Sequence, residues 1–291
     1  MEQINLSSKQ KPDWALFLPA VSSFYIAGLG KQREGENYFD QARIPQSFNG
    51  DVEKLNFLNE KEGLYTYKWG LYSAGHANLD PTVEDHNESV IRKRDRQNTF
   101  LLGDSGGFQI LKGQWPADWK DPNCPKAMIK RKEVLKWMDT YMDYGMCLDV
   151  PSESYRNTKA FEQHKIRNLA DAVKATHINN EYFIQNRNGN CKFLNVMQGL
   201  THADSDSWYD EMKKYCDPKV YPDNHFNGWA LGGQNKVDIE LMLRRLVNIV
   251  HDGLLIEGKH DLIHCLGVSI LEYALVFTED RKSTRLNSSH G

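Results

Sequence analysis

The sequence lacks three features that would assign it quickly: a long apolar run, a cysteine pair and an excess of basic charge. Its opening stretch, MEQINLSSKQKPDW, has no apolar core of a secretory signal. No other segment approaches the ~20 apolar residues that a membrane span needs. The five cysteines, Cys124, Cys147, Cys191, Cys216 and Cys265, are odd in number, widely spaced and free of any CxxC pair. That usage argues for reduced thiols in a cytoplasmic compartment, and against a disulfide framework or a zinc site in this chain. With 36 Lys and Arg against 39 Asp and Glu, the formal net charge is −3. A global basic signature for nucleic acid is therefore missing, although a local patch stays open. Internal repeats are also absent.

The far C-terminus needs separate treatment. Asp280 to His290 reads DRKSTRLNSSH, which resembles the in-frame translation of a common sequencing-library adapter. Residues 280–291 are therefore expected to form a disordered appendage outside the fold, with the native portion, 1–279, stopping near Glu279.

What is present is a repeated alternation of short apolar strands with helical patterns. Strands are expected at 14–21, 69–76, 99–104, 144–151, 191–200, 226–234 and 261–269, with an irregular excursion over 28–62. Helical stripes follow: Val134, Trp137, Met138 and Tyr141; Ile166, Leu169, Ala170 and Val173; Trp208, Met212 and Tyr215, capped by Asp204. The clearest is Ile239, Met242, Leu243, Leu246 and Val250. A final helix begins within 270–278. Helices after buried strands imply parallel βαβ crossovers, which suit either a doubly wound sheet or a (β/α)8 barrel. The barrel is favoured because functional-looking residues stand at the ends of many strands, not at one switch point. The expected fold is thus α/β, a (β/α)8 TIM barrel cut before its eighth strand.

The most informative stretch is DSGGFQ, Asp104 to Gln109, directly after the apolar run Thr99 to Gly103. A carboxylate at the end of a buried strand occupies the usual place for barrel chemistry. The glycines admit close backbone approach, and Phe108 offers a face for stacking. The competing reading is an Asp that caps a tight turn. Asp149, in CLDVPSE, ends the next strand and would face the same mouth. Two carboxylates suit glycosidic chemistry, and an ionised one also accepts hydrogen bonds from a guanine-like N1–H and amine. Gln198 in NVMQGL, Gly232-Gly233 in GWALGGQ and Leu266-Gly267 in HCLGVS follow at later strand ends. His76 and His264 are weaker candidates, His264 being more simply a core histidine. Basic clusters Arg92-Lys93-Arg94 with Arg96, and Lys126 with Lys130-Arg131-Lys132, would contact phosphates if they converge, or else form solvated faces. Trp115 and Trp119 between them could stack on an unpaired base or pack a loop.

Taken in order, DSGGFQ, CLDVPSE, NVMQGL, GWALGGQ and HCLGVS resemble the motifs of the tRNA-guanine transglycosylase superfamily over Thr99 to Thr278. The poor match of the first ninety or so residues to the queuine-inserting tRNA enzymes, with the style of FLLGDSGGFQI and HCLGVS, makes the chain more similar to the DpdA-type DNA-guanine transglycosylases of phages and bacterial genomic islands. The resemblance implies a pentosyltransferase that exchanges guanine in DNA for a 7-deazaguanine base such as preQ0. It implies Asp104 as acid/base, and Ser105, Gly106 and Phe108 as the wall beside and across the base. Asp149 would read the Watson–Crick edge, Gln198 with Gly232 and Gly233 would hold the base carbonyl, and Leu266-Gly267 would close the slot. The family's nucleophilic Asp belongs to an eighth strand, and no matching motif follows HCLGVS, so the chain by itself is expected to be inactive. No cofactor is expected in it; the zinc of the tRNA enzymes belongs beyond the barrel. Val150-Pro151 departs from the Glu-Cys of those enzymes. Alternatives kept open are a tRNA-directed enzyme, a non-catalytic nucleobase- or nucleic-acid-binding barrel, and a glycoside hydrolase with a tryptophan-lined cleft.

Overall fold

The computed structural model describes residues 15–33, 40, 42, 52–236, 238–268, 270, 272–276 and 278. The expected appendage at 280–291 and Trp14, Ser269 and Glu279 lie outside them, as does most of 34–51 in the expected excursion.

The chain builds a curled sheet from six parallel strands, β1 Trp69–Ser73, β2 Phe100–Asp104, β3 Tyr144–Met146, β4 Lys192–Met197, β5 Gly228–Leu231 and β6 Leu262–Cys265. Their spatial order follows the sequence from first to last without a reversal. Helices connect them: α1 Ser23–Arg33 before the sheet, α2 Ser89–Arg92, α3 Gly107–Leu111, α4 Pro125–Tyr141, α5 Phe161–His164, α6 Leu169–Asn186, α7 His202–Met212 and α8 Ile239–His251. Right-handed crossovers in an unreversed order put successive helices on the same face. A doubly wound arrangement, which needs a reversal, is therefore excluded for these strands. Strands β2 to β5 are buried on both faces, as their near-continuous apolar sequences require.

Several expectations need correction. The first expected strand survives only as a single parallel bridge, Ala20 to Leu71, with Val21 N–H donating to the Leu71 carbonyl at 2.7 Å. Pro19 has no N–H to extend the ladder there. Every other strand is shorter than its apolar run, because the polar or glycine tail of each run turns out of the sheet as a loop. Residues 23–33 are helical, and 28–33 of them open the expected excursion.

Helix faces also shift. Thr201, not Asp204, caps α7 by accepting from the Asp204 N–H at 3.1 Å; Asp204 instead accepts from Leu200 N–H at 3.3 Å. In α6 the buried face runs through Ala172, Ala175, Thr176, Asn179, Asn180 and Phe183, while Ala170 is exposed. In α8 it runs through Leu241, Met242, Arg245 and Ile249, and Val250 is 43% exposed. Arg245 can sit inside because Asp206 pairs with it at 2.6 Å and its guanidinium lies 4.6 Å from the Tyr209 ring centre.

Several members of the two basic clusters are engaged inside the fold. Arg92 pairs with Glu88, Arg94 with buried Asp143 at 2.8 Å, and Arg131 is wholly buried. Arg94 also donates to the Thr99 carbonyl, at the start of β2 and so at the opposite end of the sheet from Asp104. The five cysteines are free. No helix among the described residues is long and apolar enough to cross a membrane.

Candidate functional site

Because the six strands run parallel in sequence order, their C-terminal ends form one rim. Asp104 closes β2, and parallel pairing sets it beside Ser73, the last residue of β1. Ser73 Oγ donates to Asp104 Oδ2 at 2.6 Å and accepts from the Gly75 N–H at 3.2 Å. The rest of DSGGFQ bends sharply: Gly106 adopts φ +82° and caps α3. A side chain there would collide with the Trp115 ring, 2.6 Å from the position of its Cβ. A Cβ on Gly107 would stand 2.9 Å from the Asp149 carbonyl and 3.1 Å from its Oδ1. The double glycine thus lets the start of α3 press against the second acid.

Asp149 lies three residues beyond β3 and is buried. Its Oδ2 accepts from Gln198 Nε2 at 2.8 Å, just past β4. Desolvation pushes the Asp149 carboxyl up to about 7; the Gln198 hydrogen bond pulls the other way, and the negative charge of Asp104 adds to the rise. Asp104 keeps part of its surface open, yet burial of its carboxyl also raises its pKa, opposed first by the Ser73 hydrogen bond. The two acids are therefore close enough to feel each other across the rim. One carboxyl poised near neutrality beside another is a common sign of proton handling.

Beyond β5, Gly232 packs against this pair: its Cβ position lies 3.3 Å from Gln198 Nε2 and 3.6 Å from Leu266 Cδ1. Gly233 adopts φ +58°, and a side chain on it would strike the Gly199 carbonyl at 2.5 Å. Leu266, after β6, is half-buried, and its N–H donates to the Leu231 carbonyl at 3.0 Å. Gly267 turns away at φ +65° with open space beside it. Asp104, Ser105, Gly106, Asp149, Gln198, Gly232, Gly233 and Leu266 thus gather on one rim, whereas Gly267, next to Leu266, presents its open side away from the others. Phe108 is 57% exposed on α3, with Lys112 Nζ 5.0 Å from its ring centre.

No protein-family model matches the chain, and no curated protein does. Geometry and sequence motifs therefore carry the functional argument.

Sequence reasoning singled out neither Ser73 nor Gln109 for a role. Gln109 fills the space beside Gly75 and buries an Oε1 with no partner, and Ser105 sets its buried hydroxyl beside the Asp149 carboxyl, which it helps to stabilise in the charged form. The signal for Ser73 was available, since parallel strand ends of equal rank sit side by side. Of the two histidines, His76 is exposed near Asp104, and His264 lies within β6. Trp115 covers Gly106, with Lys130 Nζ 5.0 Å from its ring centre, while Trp119, Trp137, Trp208 and Trp229 are fully buried. Among the described residues, no group of three or more His, Cys, Asp or Glu could hold a metal ion.

Proposed function

We propose that this rim is the base slot of a nucleic-acid guanine transglycosylase of the DNA-directed kind, exchanging guanine for a 7-deazaguanine. The observation that carries the reading is the buried Asp149–Gln198 pair standing beside a second acid, Asp104. Ionised Asp149 would accept from the guanine N1–H and exocyclic amine. The second hydrogen of Gln198 Nε2 and the Gly233 N–H would meet the base carbonyl. Phe108 would stack across the purine, with Leu266 opposite. Asp104 would give a proton to the leaving guanine as the C1′–N9 bond breaks and a carboxylate nucleophile forms an ester with C1′. It would then take the N9 proton of the incoming deazaguanine as that nitrogen bonds to C1′ and releases the carboxylate.

The sheet is read as part of a (β/α)8 barrel in which the bridge at Ala20 marks the first strand and β1 to β6 the next six. The family's nucleophile would stand on the eighth. A duplex target must also be unstacked before its base can enter, at a cost of a few kcal/mol. A cytoplasmic setting fits this reading. The glycoside-hydrolase alternative is disfavoured because four tryptophans that could have lined a sugar cleft are core residues.

The test is calorimetric titration of the chain with guanine, preQ0 and adenine. Guanine and preQ0 should bind, adenine should bind more weakly by a factor on the order of 10² or more, and Asp149→Asn should remove that preference. Equal binding of adenine, or no purine binding, would overturn the proposal. Competition between single-stranded DNA and tRNA then separates the branches: preference for tRNA moves the assignment to the tRNA enzymes. Purine binding with neither nucleic acid retained favours a nucleobase-binding barrel.

A further inference from the structure

Asp149 is held in place by the peptide groups on either side of it. The Leu148 carbonyl accepts from Asn179 Nδ2 at 2.7 Å, and the Val150 N–H donates to Thr176 Oγ1 at 2.9 Å. Both side chains come from the buried face of α6. Asn179 Oδ1 accepts in turn from Nε of Arg131, on α4, at 2.5 Å. Arg131 is fully buried, and its hydrogen bonds go to neutral groups. Its Nη2 donates to the Trp119 carbonyl at 3.1 Å, its guanidinium lies 5.7 Å from the Trp119 ring centre, and Nη1 has no partner. Trp119 Nε1 donates to the Trp115 carbonyl at 3.2 Å, and the Trp115 ring covers Gly106.

One guanidinium therefore reaches both walls of the slot, one arm through Asn179 to the Leu148–Asp149 peptide and the other through Trp119 and Trp115 to the DSGGFQ turn. A buried cation that makes no direct ion pair costs several kcal/mol, and an apolar side chain would pack α4 against α6 without that cost. Planar, rigid placement of two donors is what arginine supplies and an apolar side chain does not. The Gly232 side of the slot is held by a second buried arginine, this one paired with Asp206. Arg245 Nη2 donates to Ser205 Oγ at 3.2 Å, Ser205 Oγ to Asn235 Oδ1 at 3.3 Å, and Asn235 Nδ2 to the Gly232 carbonyl at 2.9 Å.

We propose that Arg131 is a positioning residue that fixes the separation of the Asp104 turn and the Asp149 loop; its meaning for the reaction rests on the base-slot reading above. The titratable groups facing Asp149 are Asp104 from β2 and Cys147 from its own strand segment. Loosening the loop would let water reach the Asp149 carboxyl.

The test follows the Asp149 carboxyl through pH by carbon-13 NMR, which needs no ligand, in the wild-type chain, Arg131→Lys, Asn179→Ser and Arg94→Lys. Arg94 is also buried, but at the other end of β2, so it controls for general loss of stability. Arg131→Lys and Asn179→Ser should each lower the Asp149 midpoint by about half a unit or more. Arg94→Lys should leave it in place. Asn179→Ser cuts the bridge between Arg131 and the Leu148 carbonyl without adding charge, and decides the matter if Arg131→Lys does not fold. An unmoved midpoint in the folded variants, or an equal shift in Arg94→Lys, would overturn the proposal. Guanine affinity measured alongside should fall about tenfold in Arg131→Lys. If the wild-type chain binds no guanine, the base-slot reading fails while the NMR titration still decides the spacing role.

Discussion

At the scale of single residues, Asp149 carries the sharpest consequence. Its carboxyl ionises near pH 7, yet it must be ionised to accept two hydrogen bonds from guanine. Binding below pH 7 therefore has to expel a proton. Guanine affinity should rise about tenfold per pH unit up to about 7 and flatten above it. Titrations at pH 6, 7 and 8, in buffers of different ionisation enthalpy, would expose the released proton. A flat profile would mean that Asp149 does not read the base. The same shift sets a stability test. A carboxyl whose folded pKa lies above its unfolded value weighs against folding once the pH exceeds the folded value, and less as the pH drops. Asp149→Asn should therefore raise the melting temperature most at pH 8, with the gain shrinking toward pH 5. Scanning calorimetry at both values would check it.

At the scale of elements, caps and turns can be tested more simply than the site. Thr201 alone supplies the side-chain cap of α7, so Thr201→Ala should cost about 1 kcal/mol in a denaturant melt. A loss that small would leave guanine binding unchanged, whereas Gly233→Ala should damage binding, because its side chain would strike the Gly199 carbonyl. The strand sequence was legible from apolar runs such as FLLGD and KFLNVM, and the motif positions at strand ends followed from them. Strand ends were less legible, since an apolar run continues past the last ladder hydrogen bond into the loop, as in Tyr144 to Pro151. The buried face of α6 was invisible to hydrophobic periodicity because Thr176, Asn179 and Asn180 occupy it. Those polar residues face inward to hold loop peptides, and only the fold reveals the peptides they hold. Arg131 misled for the same reason: a charged residue reads as surface until its partners are known.

At the scale of the whole molecule, the unreversed strand order gathers six strand ends on one rim, so chemistry from distant motifs converges without any long loop. The same order leaves the later strands dependent on packing from the helix side, where buried histidines act as struts. His260 is the clearest. Its Nδ1 accepts from the Ile256 N–H at 3.0 Å, and its Nε2 meets the Cys216 carbonyl at 2.7 Å. Those partners require the neutral ring with its proton on Nε2, since a second proton would face the Ile256 N–H. The His225 ring stands 5.5 Å away, edge to face, with a buried Nε2 that has no partner. Desolvation lowers the pKa of both rings; each one's backbone hydrogen bond opposes the shift, and the interaction between the two histidines adds to it for His260. Folded His260 therefore refuses a proton that the unfolded chain accepts below about pH 6.5. Its contribution is complete above that value and is lost as the pH falls toward the lower folded pKa. His260→Gln should then cost about 1 kcal/mol at pH 8, where only the hydrogen bonds are weakened. The deficit should narrow steadily below pH 6.5, because only the wild-type ring is penalised for staying neutral. Urea melts of both proteins at pH 8, 6.5 and 5.5 measure the gap, and a gap that widens in acid would show that His260 is charged in the folded protein.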